Sequence, residues 1–423
     1  MSFVDAALEK DHTDPLRTFR QHFKLSDASL IYVDGNSLGP LSDLSEQRLH
    51  KAVEKEWGER LIRGWNDAWW EMPVQLGDEL APLIGARKGE VLICDSTSVN
   101  LYKLVWAALS LSHTNGKLVT DDLNFPSDLY VMQGILENHP GTFHLELLKS
   151  GDGISMSQKE IEEKITDETA LVCLSHVSFK SAFMYDMKKV TDLAHSKGAL
   201  VIWDLSHAAG AVPINLEGSG ADMAVGCTYK YLNGGPGSPA YLYVRKEIQD
   251  RLQSPIWGWL GEIHPFDFHL EFRPSSGIRK FLVGSPPILS LIPVETGLTI
   301  IKEAGMDRIR DKSVAQSQFF IDMASTDLLD LGYTIGSPRH PHQRGSHVAL
   351  RHPEGYRICQ ALTDPSEGKY TIIPDFREPD HIRIGIAPLY NTFMELVLVV
   401  QELKRIVENR VYVNYGKKRK TVT

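Results

Sequence analysis

The chain has 423 residues and a mass of 47.4 kDa, a length that suggests two or three domains. Its 42% hydrophobic and 23% charged residues are ordinary for a soluble globular protein and argue against a disordered or collagenous chain. A net charge of −9 argues against nucleic acid or an anionic membrane as the main partner, and the basic run Lys417-Lys418-Arg419-Lys420 reads as a solvated terminus.

Taken in chain order, Ser96-Thr97-Ser98 opens a helix that continues through Leu101, Leu104 and Val105. Apolar runs over 117–120, 142–148, 169–175, 199–204, 221–225 and 240–244 predict strands buried on both faces. Between them Met187, Val190, Leu193 and Ala194 recur at helical spacing, and Gly198 ends that helix. Strand–helix alternation implies an α/β domain with a largely parallel sheet. The last third changes character. A long helix is expected over 298–324, strands near 346–351 and 381–387, and an amphipathic helix over 393–407. The expected division is a large domain over 45–294 and a small α+β domain built from 1–44 and 295–423.

The four cysteines, Cys94, Cys173, Cys227 and Cys359, form no CxxC pair, so neither a zinc ribbon nor a disulfide framework is indicated. The N-terminus carries Asp5 and Glu9 and lacks a signal-peptide apolar core, and no 18-residue apolar stretch reads as a membrane helix. A reducing cytoplasm is the expected compartment.

The chemistry concentrates between Val201 and Pro239. Asp204 ends a buried strand, where open α/β sheets place their ligands. Lys230 stands between an apolar strand and the turn Asn233-Gly234-Gly235-Pro236-Gly237. A lysine for an aldehyde and a carboxylate for a pyridine nitrogen are what pyridoxal 5'-phosphate needs. Hydroxyls at Thr97 and Ser98 open a helix, which makes them caps or phosphate donors. Phe125 in the turn Asn124-Phe125-Pro126-Ser127-Asp128 offers a face for stacking. His207 follows Asp204 by three residues. Arg383, in an alternating strand, is either a surface residue or a fork for a substrate carboxylate.

These strings resemble the kynureninase family, of the bacterial type. Asp204-Leu205-Ser206-His207-Ala208 and Tyr229-Lys230-Tyr231-Leu232-Asn233 carry the resemblance, with Thr97-Ser98-Val99-Asn100-Leu101, Phe125-Pro126-Ser127-Asp128, Gly258-Trp259-Leu260-Gly261 and Ala387-Pro388-Leu389-Tyr390-Asn391. The early Asp34-Gly35-Asn36-Ser37-Leu38-Gly39 fits as well. The resemblance implies a fold-type-I pyridoxal phosphate enzyme, aspartate aminotransferase-like. It implies hydrolytic cleavage of L-kynurenine to anthranilate and L-alanine, by way of a quinonoid and a ketimine. Lys230 would hold the cofactor and act as base, Asp204 would pair with the pyridine nitrogen, and Tyr229 would transfer a proton or anchor phosphate. Thr97, Ser98, Phe125, Pro126, Ser127, Asp128, Ser175 and His207 would complete the cofactor site, with Trp259 and Ser285 approaching from the second subunit of a homodimer. Arg383 would hold the substrate carboxylate. Trp65 and Gly284 would favour L-kynurenine over its 3-hydroxy form, although Ser285 stands where the bacterial type has threonine.

Three other readings compete, one of them a non-catalytic descendant of the fold, against which intact Asp204, Lys230 and Arg383 argue. A cysteine desulfurase needs a nucleophilic cysteine on a loop of the small domain. The stretch 337–347 contains none, and Cys359 falls in an apparent helix. His340, His342, His347 and His352 match no common zinc spacing.

Overall fold

The computed structural model describes residues 2–111, 116–138, 142–366 and 368–419. Seven strands build the central sheet, in the spatial order Val91–Ile93, Tyr241–Val244, Met223–Gly226, Leu200–Asp204, Thr169–Ser175, Gly116–Asp121 and Phe143–Leu148. Tyr241–Val244 runs antiparallel to both neighbours, and every other pairing is parallel. Alternate strand residues point to opposite faces. Accordingly Leu171, Cys173 and Ile202 enter one apolar cluster while Val172, Leu174, Val201 and Trp203 enter another. Both faces of the inner strands are covered, which is why they read as unbroken apolar runs; Phe143–Leu148, expected to be buried on both faces, lies at the sheet edge and is only partly buried. The six expected strands are all present within two residues at each end. Val91–Ile93 is the seventh, too short to show a period.

Two helices occupy the region expected to hold one. Ile288–Ala304 and Met306–Asp327 meet at Gly305, whose φ of 80° interrupts the helical hydrogen bonding. The boundary expected near residue 295 falls inside the first of them. Leu291, Ile292, Val294, Leu298, Ile300 and Ile301 of that helix pack into the same cluster as Trp203 and Leu232.

The smaller part of the chain forms a four-stranded antiparallel sheet in the order Asp375–Arg377, His381–Ile384, Val348–Arg351 and Thr334–Ile335. The helix Phe393–Glu408 covers it, started by a capping box of Thr392 and Glu395. The N-terminal segment joins both parts. Its helix Phe3–Thr13 packs on Phe393–Glu408, and Leu30–Tyr32 pairs in parallel with Thr371–Ile373. Leu16 and Phe23 belong to the core of the larger part. After a bridge from Asp34 to Gly385, the Gly39 N–H donates to the Tyr229 carbonyl at 2.7 Å. Residues 34–39 therefore run from the small sheet to the lysine-bearing loop.

Candidate active site

The parallel strands bring their carboxyl ends to one place. Ser175 and Asp204 sit opposite each other in register. Met223–Gly226 leads into Cys227–Lys230, and Gly116–Asp121 leads into the turn at Asn124–Asp128. Above these ends lies a cavity of about 720 Å³, and Thr97, Ser98, Phe125, Asp204, Lys230 and Arg383 are among the residues lining it.

Lys230 Nζ lies 2.9 Å from His207 Nε2 and 6.0 Å from the centre of the Phe125 ring. Burial, with the Lys230 charge next in size, pushes the His207 pKa well below its ordinary value, so the ring beside Lys230 is neutral. His207 Nδ1 is buried without a partner. Asp204 accepts the Ser206 N–H at 2.7 Å. Next to it Asp128 is 1% exposed, and one of its carboxylate oxygens is unpartnered. Burial and then the Asp204 charge push the Asp128 pKa well up. Two adjacent carboxyls with one held protonated are expected when like charges share a buried site. Cys227 and burial push the Tyr229 phenol up, so it stays protonated.

At the other wall the helix Thr97–Leu109 begins with Ser96 as its cap, the Ser96 side chain accepting from the Val99 N–H. Its first-turn N–H groups and the helix dipole favour an anion. Ser98 and Ser127, at the starts of two helices, stand 3.5 Å apart. This donor set fits pyridoxal phosphate. The hydroxyls and amide groups at 96–98 suit its phosphate, Asp204 its ring nitrogen and Lys230 its aldehyde, and the buried, unpartnered atoms of His207 and Asp128 are polar groups short of a partner.

The cavity gathers Thr97, Ser98, Phe125, Ser127, Asp128, Asp204, His207, Tyr229, Lys230 and Arg383. Other residues singled out in the sequence lie elsewhere. Pro126 is the first residue of the helix Pro126–Glu137. Ser175 lies beneath the turn, its hydroxyl donating to Asn124 at 2.5 Å, while Asn124 accepts the Phe125 N–H. Trp65, Trp259 and Ser285 line a second cavity of about 470 Å³ with Ile62, Trp70 and Phe266. Gly284 is exposed with open space around it. Asn36, Ser37, Asp95, Ser206 and Arg377 also line the main cavity, and none was given a role from sequence. The string Asp34–Gly39 was the one signal for the first two.

Arg383 is not a surface residue. It is 1% exposed, and its Nε donates to Asp375 at 2.6 Å. Cys359 lies fully buried in the helix Gly355–Thr363. The four histidines scatter: His340 and His342 lie side by side, His347 packs against His207, and His352 against Tyr333. Among the described residues no group of three or more His, Cys, Asp or Glu has the geometry to hold a metal.

This fold and cavity define a fold-type-I pyridoxal phosphate enzyme. The chain matches the aminotransferase class-V family over residues 75–352. It also superposes on the cysteine desulfurase from Thermococcus onnurineus NA1 with a TM-score of 0.79 at 19% identity, over 92% of this chain and 98% of that one. The cysteine desulfurase CsdA from Escherichia coli superposes with a TM-score of 0.78 at 15% identity, over 93% and 98% of the two chains. These structures share the fold. The kynureninase C-terminal domain matches over residues 309–403. The kynureninase of Pseudomonas fluorescens is 42% identical over 97% of both chains, and that of Burkholderia pseudomallei (strain K96243) 41% identical over the same shares. The chain belongs to the kynureninase family, and its cofactor is pyridoxal 5'-phosphate.

Proposed function

We propose that this enzyme hydrolyses L-kynurenine to anthranilate and L-alanine, with L-kynurenine preferred over 3-hydroxykynurenine. It acts as a cytoplasmic homodimer. One observation carries the reading most directly. A single cavity holds Lys230 against a neutral His207, the Asp204–Asp128 pair, a helix N-terminus, and the Arg383 guanidinium. Bound pyridoxal phosphate supplies an electron sink for charge developing at the substrate's Cα. Lys230 Nζ takes the proton from that carbon. Asp204, beside Asp128 whose carboxyl burial and the Asp204 charge push well up, would pair with the pyridine nitrogen of the bound cofactor and favour its protonated form. Tyr229 holds its phenolic proton and donates it later, as the alanine part is released. Phe125, set by Asn124 and Ser175, orients the ring by stacking.

The substrate's aryl ring is assigned to Trp65 and Gly284; Trp65 shares a cavity with Trp259 and Ser285, so all four are taken to reach the site from the partner subunit, with Trp259 and Ser285 completing the cofactor site. Indole presents an apolar wall and one N–H, so it cannot accept from a 3-hydroxyl. Leaving that hydroxyl unpaired costs about 1–3 kcal/mol, or roughly 5- to 150-fold in kcat/KM. The test is anthranilate fluorescence with L-kynurenine, run in parallel with the 3-hydroxy substrate. Expected are turnover of L-kynurenine, a preference of about 10-fold or more for it, and no product from Lys230→Ala. Turnover retained by Lys230→Ala, or sulfide release from cysteine in place of kynurenine cleavage, refutes the reading.

A further inference from the structure

We propose that Arg377 is a second carboxylate-binding arginine of this site, joined to Arg383 through Asp375 and meeting the substrate's α-carboxylate from the open side of the cavity. The identity of the substrate rests on the function proposed above. The placement rests on the small sheet. Asp375–Arg377 and His381–Ile384 are antiparallel, with Asp375 directly opposite Arg383 and Arg377 opposite His381. Strand residues two apart share a face, so Asp375, Arg377 and Arg383 stand together.

Their bonding is unequal. Arg383 is 1% exposed and engaged at every nitrogen. Nε and NH2 donate to Asp375 Oδ2, NH1 donates to the Phe179 carbonyl at 2.5 Å, and NH2 also reaches Ser37 Oγ at 3.2 Å. The fork expected to grip a substrate carboxylate already grips an internal one. Arg377 is 37% exposed and lines the cavity. Its NH1 forms an ion pair with Asp375 Oδ1 at 2.9 Å and donates to the Phe376 carbonyl at 3.1 Å. Among the described residues its Nε and NH2 make no hydrogen bond. Arg377 thus presents donors to the cavity that Arg383 does not.

Charge points the same way. Among the described residues two guanidiniums face the one Asp375 carboxylate, a local excess of positive charge that suits a carboxylate ligand. Asp34 stands close by. Burial and then the Asp375 charge push its carboxyl up to about 7, so below that pH it does not cancel the positive charge. Asp375 acts as a positioning residue that contacts both guanidiniums, Arg377 through Oδ1 and Arg383 through Oδ2.

The test uses the holoenzyme, its cofactor absorbance titrated with L-alanine and with L-alaninamide, which lacks the carboxylate. Arg377→Gln is expected to bind L-alanine about 10-fold or more weaker, the loss of a charge-assisted bond, with alaninamide unchanged. Arg377→Lys, which keeps the charge and guards against a folding defect, is expected to recover part of the loss. With L-kynurenine, KM rises about 10-fold and kcat stays within about 3-fold. Wild-type affinity for L-alanine in Arg377→Gln overturns the proposal, as does an equal loss for acid and amide. If the wild-type enzyme fails to cleave L-kynurenine, the function proposed above falls, and the alanine titrations still decide the role of Arg377.

Discussion

Asp34, half-buried near Asp375 and Arg383, is one residue whose protonation is coupled to stability. Burial, then the Asp375 charge, raises its carboxyl from 3.8 to about 7. A raised carboxyl means that the folded state binds the proton more tightly than the unfolded state does. The stabilisation is complete below about pH 4 and is lost as pH rises through about 7. Buried His207 and His347, both pushed well down, act oppositely and remove stability as pH falls below their unfolded value near 6.5. Comparison with Asp34→Asn isolates the first effect. Thermal melts between pH 5 and 8 should show the wild type losing stability relative to the Asn variant as pH rises from 5 to about 7, with the difference levelling off above that. A constant difference across that range shows that Asp34 does not titrate there. At this scale the sequence made Lys230, Asp204 and His207 legible, because strand ends and a glycine-rich turn mark them. Arg377 and Asp375 stayed hidden because their strand has only three residues. Their meaning lies in cross-strand pairing, which no local pattern reports.

At the scale of elements, the helix Ile288–Ala304 sets the position of the lysine loop. A side chain on Gly297 would lie inside van der Waals contact with the Leu232 carbonyl, two residues beyond Lys230. Backbone cannot yield as a side-chain end can, so helix and loop are held at a spacing only glycine permits. Gly297→Ala should therefore destabilise the fold by about 1–3 kcal/mol, the usual cost of overpacking, and lower kcat by displacing Lys230. Denaturant unfolding checks the first effect and steady-state kinetics the second. A variant with wild-type stability and kcat would show that the loop is set by other contacts. The same helix shows what periodicity misses. Apolar residues keep helical spacing through Ile300, Ile301, Ala304 and Ile309, so the pattern runs past Gly305 as if unbroken. The break is a backbone event at one residue, and the helix resumes at once. Strands buried on both faces are the opposite case, since their composition alone reports their surroundings.

At the scale of the whole molecule, apolar surface is unevenly spread. Ile62, Trp257, Trp259, Phe266, Phe268 and Leu270 are between 43% and 104% exposed. Several form one aromatic group: Trp70, Trp259 and Phe266 lie 5.2–6.0 Å apart, and Phe268 stacks on Trp259 at 6.4 Å. A contiguous apolar patch of this kind marks an interaction surface. Trp65, Trp259 and Ser285 line the cavity within it, apart from the cavity that holds Lys230. If each chain acted alone, these residues would have no cofactor or substrate to meet. In the proposed homodimer a second copy seated on this surface would cover the aromatic group and carry Trp259 and Ser285 to the neighbouring site. Light scattering should accordingly give twice the 47.4 kDa of the chain. Leu270→Asp, which places a charge on the patch and lies outside the main cavity, should shift the protein toward monomer and reduce kynurenine turnover in parallel. Turnover should recover with protein concentration, as mass action requires of a dimeric active unit. An active species of single-chain mass, with turnover independent of concentration, would return Trp259 and Ser285 to the role of surface residues.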